Sequence, residues 1–166
     1  MQKINPYLWF DGQAEQAAEH YVEVFRGRPG DPKGDTRVTS VSRTGEGEAV
    51  LLVEFELDGL TFVALNGGPQ FTFNESVSFL VHCETQEEVD HFWNAFTAEG
   101  EESMCGWLKD RYGLSWQIVP RELNEMLASP DKDGARRAME AMLTMGKIDL
   151  EACRRAFRGE AVPASA

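Results

Sequence analysis

The order of predicted elements limits the fold of this chain more than any other feature, because one arrangement occurs twice. In the first copy, "INPYLWF" (4–10) alternates between apolar and polar-aromatic residues, which is typical of a strand with two different faces. Residues 13–26 then carry apolar side chains at helical spacing. Strands are predicted over 36–43, 48–57 and 60–65, and "DG" between the last two indicates a tight hairpin.

The second copy has the same order of elements without visible similarity in its residues. "SVSFLVHC" (76–83) predicts a strand, and an apolar stripe after it predicts a second amphipathic helix. Two short strands then follow over 104–110 and 115–119, on either side of "RYG". A strand, a helix and antiparallel strands, occurring twice, predict an α+β fold with an internal structural repeat.

Individual residues predict where these elements begin and end. Pro6 near the start of the first strand predicts an edge position, because proline donates no ladder hydrogen bond. Asp11 is predicted to cap the first helix, and Thr85 with Glu88 forms a capping-box sequence before the second. Gly100 is predicted to stop the second helix.

After Pro120 the pattern is helical as far as residue 158. We predict a short helix over 121–128, a second marked by alanines and methionines, and a third capped by Asp149. The methionines at this spacing favour packing against another helix or subunit. The helical segment after Pro120 is therefore expected to cover a sheet edge or a subunit interface.

Four segments therefore organise the chain. Residues 1–120 are predicted to form the main domain, made of modules at about 4–66 and 76–120. Residues 121–158 are predicted to form a helical extension, and 159–166 a frayed tail.

Composition excludes several classes of partner. The net charge of −12 disfavours binding to phosphate backbones, so we expect no nucleic acid. No apolar run is long enough to span a bilayer and no signal peptide is recognisable, so we expect a soluble cytoplasmic protein without a membrane partner. Cys83, Cys105 and Cys153 lack metal-site spacing and are predicted to be small buried hydrophobes.

Three longer segments resemble a known family. "NPYLWFDGQAEQAAEHYVEVF", "FVALNGGPQFTFNESVSF" and "CGWLKDRYGLSWQIVP" are similar to PhnB-like proteins of the vicinal oxygen chelate superfamily, which also includes glyoxalase I, extradiol dioxygenases and bleomycin-resistance proteins. The family is historically labelled 3-demethylubiquinone-9 3-methyltransferase. The resemblance runs from about residue 4 to 157 and implies two βαβββ modules with curved mixed or antiparallel sheets around a shared cleft, usually within a homodimer.

The resemblance also implies where a metal would bind. Metal-binding relatives place a His or Glu on the first strand and a Glu on the last strand, after a "DxxG" turn. In this chain those positions hold Asn5 and Gln117, which are neutral amides. Neutral amides do not neutralise a divalent cation as carboxylates do, and the nearest anionic candidates are Glu54 and Glu56. We therefore predict no tightly bound transition metal and no cofactor.

Aromatic and amide side chains remain as candidates for a ligand site. Asn5, Tyr7, Trp9, Trp107 and Gln117 fall on the strand faces opposite the helix-packing stripes. With Glu54 they are predicted to bind a small planar or amphipathic molecule by stacking and hydrogen bonding. The three aromatic rings could instead fill a dimer core.

Two classes of function stay open. The first is a small-molecule binding module, and the second is a metal-assisted lyase, isomerase or dioxygenase. The methyltransferase label is doubtful because the glycine-rich segment "LNGGPQ" (65–70) continues as loop, whereas S-adenosylmethionine enzymes typically lead such a turn into a helix.

Overall fold

The computed structural model describes residues 3–30, 34–45 and 49–160 of the chain. It divides into two compact units, Met1–Phe73 and Asn74–Ala166, and each is described by itself below. Most of the predicted tail, 161–166, lies outside the described residues. Within these ranges, no helix combines the length and the apolar character that crossing a bilayer requires.

The first unit follows the predicted order of elements. Its elements are β1 (Tyr7–Phe10), α1 (Ala14–Arg26), β2 (Arg37–Arg43), β3 (Val50–Leu57) and β4 (Leu60–Asn66). The four strands form one sheet in the order β1-β4-β3-β2, in which β1 runs parallel to β4 and the other pairs are antiparallel. The first strand is therefore an edge strand, as its proline predicted.

Helix α1 covers one face of this sheet. Period-two alternation turns Val53 and Phe55 toward the helix, and both are fully buried. The ring of Phe55 stacks on Phe62 of β4 at a centroid distance of 5.2 Å and lies 6.0 Å from the ring of Tyr21 on α1. Burial of each such side chain stabilises the unit by about 1.5–3 kcal/mol.

The start of α1 is capped from across the sheet, so the predicted cap by Asp11 is wrong. The N-cap residue is Gln13, whose side chain makes no capping bond. The Ala14 amide instead donates to Asn66 Oδ1 at 2.8 Å, while Asn66 Nδ2 donates to the Val50 carbonyl at 3.0 Å. One amide side chain at the end of β4 thus joins the helix to two strands.

The second unit repeats this topology. Its sheet and helix comprise β5 (Ser78–Cys83), α2 (Gln86–Thr97), β6 (Glu101–Glu102), β7 (Trp107–Lys109) and β8 (Ser115–Pro120). The strand order is β5-β8-β7-β6, with β5 parallel to β8 and the other pairs antiparallel. Both units are βαβββ modules with open mixed sheets, which confirms the predicted α+β fold.

A turn replaces much of the strand predicted over 104–110. Cys105 and Gly106 have φ angles of 60° and 81°, which lie outside the strand region. Their amides donate to the carbonyls of Met145 and Gly146 at 2.7 and 2.8 Å. Cys105 is half-buried in this turn, unlike the fully buried Cys83 and Cys153, so the prediction of a small buried hydrophobe is wrong for that residue.

Helix α2 begins as predicted and ends differently. The Glu88 amide donates to Thr85 Oγ1 at 3.2 Å, which confirms the cap. The helix ends at Thr97, and Gly100 does not stop it. A Cβ at Gly100 would overlap the carbonyl oxygens of Phe96 and Lys109, so this glycine permits a close backbone approach.

Three helices complete the second unit. These are α3 (Arg121–Leu127), α4 (Lys132–Met142) and α5 (Leu150–Arg158). Asp149 accepts a hydrogen bond from the Ala152 amide at 2.9 Å, which confirms the predicted cap of α5. The helices bury an apolar cluster that includes the end of β8: Val119, Leu123, Met126, Ala138, Ile148, Leu150 and Cys153.

The extension is anchored at the end of the sheet and on α2. Gln86 Nε2 donates to the Ile148 carbonyl at 3.0 Å, and Gln86 Oε1 accepts from the Leu150 amide at 2.8 Å. Together with the Cys105 turn, these bonds attach the extension to β7 and α2 rather than along an edge strand. Met139 and Leu143, two of the apolar residues of this segment, are about half exposed at 45% and 55%.

Candidate functional site

Each sheet has a second face, opposite its helix, which we refer to as the far face. In the first unit, Val63 is the register partner of both Tyr7 and Glu54. These three residues form a row across the far face. Tyr7 is 58% exposed and Glu54 is also exposed, whereas their chain neighbours Leu8, Val53 and Phe55 are buried against α1. Asn5 is exposed and precedes β1.

Trp9 lies on the same face but is held by the loop that follows β4. Its Nε1 donates to the Gly68 carbonyl at 2.8 Å, and its ring contacts the Phe71 ring edge-on at 5.0 Å. A Cβ at Gly67 would overlap the indole ring. The two glycines of the "LNGGPQ" segment therefore accommodate a tryptophan, and no helix follows them.

The second carboxylate of β3 is neutralised within the sheet. Glu56 lies on the far face beside Arg37 of β2, whose guanidinium is 3.0 Å from Glu56 Oε2. Across the described parts of both units, no group of three or more His, Cys, Asp or Glu side chains is placed to hold a metal ion.

The second unit brings two of the predicted residues together. Trp107 on β7 and Gln117 on β8 are register partners, and both are half-buried on the far face. Gln117 Nε2 donates to Ser78 Oγ on β5 at 2.8 Å. This bond fixes the amide and leaves its carbonyl oxygen as the acceptor beside the indole ring.

A row of polar residues adjoins this pair, and sequence reasoning missed it. Ser115 on β8 lies between Ser78 on β5 and Lys109 on β7 in the strand register. A cavity of about 120 Å³ is lined in part by Trp107, Lys109, Ser115 and Glu75. That volume corresponds to roughly four water molecules or one small organic group.

Two features give this cavity its polarity. Lys109 Nζ contacts Glu75 Oε1, and this hydrogen bond raises the pKa of Lys109 and lowers the pKa of Glu75. Ser115 is 1% exposed, and its Oγ has no hydrogen-bond partner among the described residues. A buried hydroxyl without a partner is uncommon and costs about 1–3 kcal/mol.

A buried carboxylate positions both strands of this site. Asp110 accepts hydrogen bonds from the amides of Tyr112 and Leu114 at 2.8 and 3.1 Å, and from Trp116 Nε1 at 2.9 Å. The "DRYG" segment is thus a hairpin turn held by its own aspartate, with Gly113 at a φ of 82°. It fixes the register that places Trp107 against Gln117.

The alternation of β7 and β8 contained a signal for two of the missed residues. Ser115 is two positions from Gln117, and Lys109 is two positions from Trp107, so each shares a face with a residue that was predicted. Glu75 precedes β5 in a loop, and no periodicity indicates its position.

Two four-stranded βαβββ modules, each with one helix on one face, define the glyoxalase-like fold of the vicinal oxygen chelate superfamily. Within that class, the chain belongs to the 3-demethylubiquinone-9 3-methyltransferase family, whose model matches residues 2–119. The match includes both modules and ends before the helical extension.

Solved structures agree with this assignment. The PhnB protein from Bacillus cereus is 31% identical, with a TM-score of 0.62, over 72% of this chain and 99% of that protein. Protein PA1353 from Pseudomonas aeruginosa, at 17% identity and a TM-score of 0.56, shares the fold over 72% of this chain and 98% of its own. A search among curated proteins found no match.

Proposed function

We propose that this chain binds a small planar or amphipathic molecule, and that Trp107 and Gln117 of the second unit make central contacts with it. The observation that carries the proposal is their pairing on the far face, beside a cavity. An indole ring offers a stacking surface, and an amide held by Ser78 offers an oriented acceptor. Small-molecule sites typically combine an aromatic surface with a small number of polar groups in fixed positions.

The chemistry of the donors favours binding without a tightly held metal. Gln117 occupies the position where metal-binding relatives carry a glutamate, and its amide nitrogen already donates to Ser78. In the first unit, Glu56 is paired with Arg37, which makes it a less available carboxylate ligand. A transition metal prefers imidazole, thiolate or carboxylate ligands, and a neutral amide oxygen is a poor substitute.

The residues present do not fit the cofactor that the family label implies. Gly67 and Gly68 are the candidates for a nucleotide-binding turn, yet the first adjoins the ring of Trp9 and the second accepts its indole N–H. A ligand approaching that backbone would have to displace the tryptophan. We therefore propose no methyl transfer from S-adenosylmethionine.

The proposal extends to the first unit and to assembly. Asn5, Tyr7 and Glu54 are exposed, which supports a role in ligand contact, whereas Trp9 is engaged by its own loop and would contribute mainly its remaining exposed edge. We propose that the chain works as a homodimer, as the superfamily resemblance implies.

Thermal unfolding in the presence of candidate ligands tests the proposal. The full chain is screened with Zn, Ni, Fe and Mn salts and with a panel of planar aromatic molecules. We expect stabilisation by at least one planar molecule and by none of the metals. A ligand at about 100 times its Kd adds roughly 2.7 kcal/mol to stability, which raises Tm by several degrees.

Matched variants locate the effect. Gln117→Ala should abolish most of the ligand-induced rise in Tm, whereas Gln16→Ala, on the exposed side of α1, should leave it unchanged. Stabilisation by a metal alone would contradict the proposal and favour a metal-assisted lyase, isomerase or dioxygenase. A rise that persists in Gln117→Ala would show that the ligand binds elsewhere.

A further inference from the structure

The cavity beside Trp107 has an excess of negative charge. Its lining includes Glu75, Glu101 and Glu102 against the single ammonium of Lys109. Lys109 is already bound to Glu75, and Glu101 is its register partner on β6. The ammonium is therefore compensated within the protein, and at least one further carboxylate remains at the cavity.

Glu102 is turned away from this face. Its Oε1 accepts a hydrogen bond at 3.2 Å from Nε1 of Trp93, which is buried on α2. Because successive strand residues point to opposite faces, Glu101 shares the far face with its partner Lys109. Glu101 is exposed and close enough to Lys109 to raise its pKa further by charge, after the larger effect of Glu75.

A second, independent observation indicates a ligand at this place. Ser115 lines the cavity, is almost fully buried, and its Oγ lacks a hydrogen-bond partner among the described residues. It lies beside Lys109 in the register, on the same face as Gln117. A hydroxyl oxygen can accept a hydrogen bond from an N–H donor of a bound molecule.

The geometry points to an organic cation, an ammonium group on a small planar or aromatic body, as the ligand of this cavity. The inference rests on the proposed small-molecule function and names the chemical class of its ligand. The ammonium would donate to Ser115 Oγ and face the Glu101 carboxylate, while the attached ring lies against Trp107. Attraction between a cation and an indole face adds to the charge term.

The charge distribution disfavours the opposite assignment. An anion would need Lys109, whose charge Glu75 already compensates, and it would meet the Glu101 carboxylate. The chain as a whole carries a net charge of −12, which attracts cations over longer distances. A hydroxyl and an indole ring are poor ligands for a transition metal but suit an ammonium group.

Three small aromatic probes that differ in charge test the inference. Benzylamine is cationic at neutral pH, benzyl alcohol is neutral, and phenylacetate is anionic. Each is titrated into the isotopically labelled full chain, and the tryptophan indole N–H resonance of Trp107, assigned with Trp107→Phe, reports binding. We expect benzylamine to bind about tenfold more tightly than benzyl alcohol, and the preference to shrink at high salt.

Variants separate the contributions. Glu101→Gln and Ser115→Ala should each reduce benzylamine affinity by about threefold to tenfold while leaving benzyl alcohol unchanged. Glu125→Gln removes the same charge from an exposed position on α3, outside the cavity lining, and should have little effect.

The outcomes distinguish this inference from the proposed function. Equal binding of all three probes would overturn the cation preference and leave the small-molecule function standing. Tighter binding of phenylacetate would overturn it as well, because Lys109 would then be the determinant. Failure of every probe to move the Trp107 resonance would overturn both.

Discussion

The two units share one topology and differ in what lies against the far-face tryptophan of each. In the first, the loop after β4 bends back, so that Trp9 is hydrogen-bonded to Gly68 and touched by Phe71. In the second, β8 leads into helices that bury Val119 at the strand's end. Trp107 stays half-buried beside Gln117.

This difference shows that two units with one strand order can surround a far-face tryptophan in different ways. The loop after β4 packs on Trp9 in the first unit, whereas Tyr7 and Glu54 on the same far face stay exposed. Helices that cover only the end of the second sheet leave its middle rows available to a ligand. The two tryptophans lie on non-equivalent strands, β1 and β7, so a repeated strand order does not by itself place similar side chains at corresponding positions.

Removing the helical extension should have the largest effect. A chain ending at Pro120 lacks every residue of the apolar cluster except Val119, which becomes exposed, and it loses the bonds that Gln86 makes to the extension. Each buried side chain of that cluster contributes about 1.5–3 kcal/mol, so we expect aggregation. Size-exclusion chromatography and circular dichroism provide the measurement. A chain ending at Glu160 keeps α5 complete and is the control. A monodisperse, folded fragment would show that the second unit does not depend on its helices.

The two hairpin aspartates should differ sharply in their contribution. Asp110→Ala leaves buried donors of Leu114 and Trp116 without their acceptor, so we expect a loss of about 3 kcal/mol in the free energy of unfolding. Asp58→Ala in the first unit loses an ion pair between a partly exposed carboxylate and the largely buried side chain of Arg28, and should cost about 1 kcal/mol. Urea denaturation of both variants gives the comparison. Equal losses would mean that the buried turn does not hold the second unit's register.

The close packing of the Trp9 ring against Gly67 can be tested by substituting this glycine. Gly67→Ala places a methyl group in the indole ring and should destabilise the chain by about 2 kcal/mol. In a Trp9→Ala background the same change should cost much less, because the ring is gone. Thermal or urea unfolding of the four chains completes the cycle. Additive effects of the two changes would contradict the close contact.

The smallest effect concerns the buried thiol of the extension. Burial raises the pKa of Cys153 from 9.0 to about 11. Because the folded state favours the protonated thiol, its stability contribution is complete below pH 9 and is lost as pH rises toward 11. Between pH 9 and 11 the urea midpoint of the wild type should therefore fall more than that of Cys153→Ala. Identical pH profiles for the two chains would contradict the raised pKa.

Iodoacetamide at about pH 8 should modify half-buried Cys105 before Cys153.

Local periodicity predicted most of the fold. Strand alternation predicted that Trp107 and Gln117 lie on the face opposite the helix, and the structure adds that they are register partners there. Period-two reasoning succeeds here because one face of each sheet is buried by a helix, which forces the alternation.

Long-range pairings were beyond the sequence. The cap of α1 comes from Asn66, 52 residues away, and a nearer aspartate looked equally suitable. The need for glycine at position 67 comes from the ring of Trp9, and the pair of Glu75 with Lys109 comes from a loop residue that meets a strand. Such contacts depend on which strands become neighbours, and no local pattern records that choice.

Metal analysis of the purified full chain is the most direct test, because the proposed binding mode depends on a neutral Gln117 where the family resemblance implies an anionic ligand. Elemental analysis after purification without chelators should find well under about 0.1 equivalents of Zn, Ni, Fe or Mn per chain. About one equivalent of any of these metals, retained through dialysis, would contradict the expected lack of a tight metal site. The chain would then be grouped with the metal-dependent members of its superfamily.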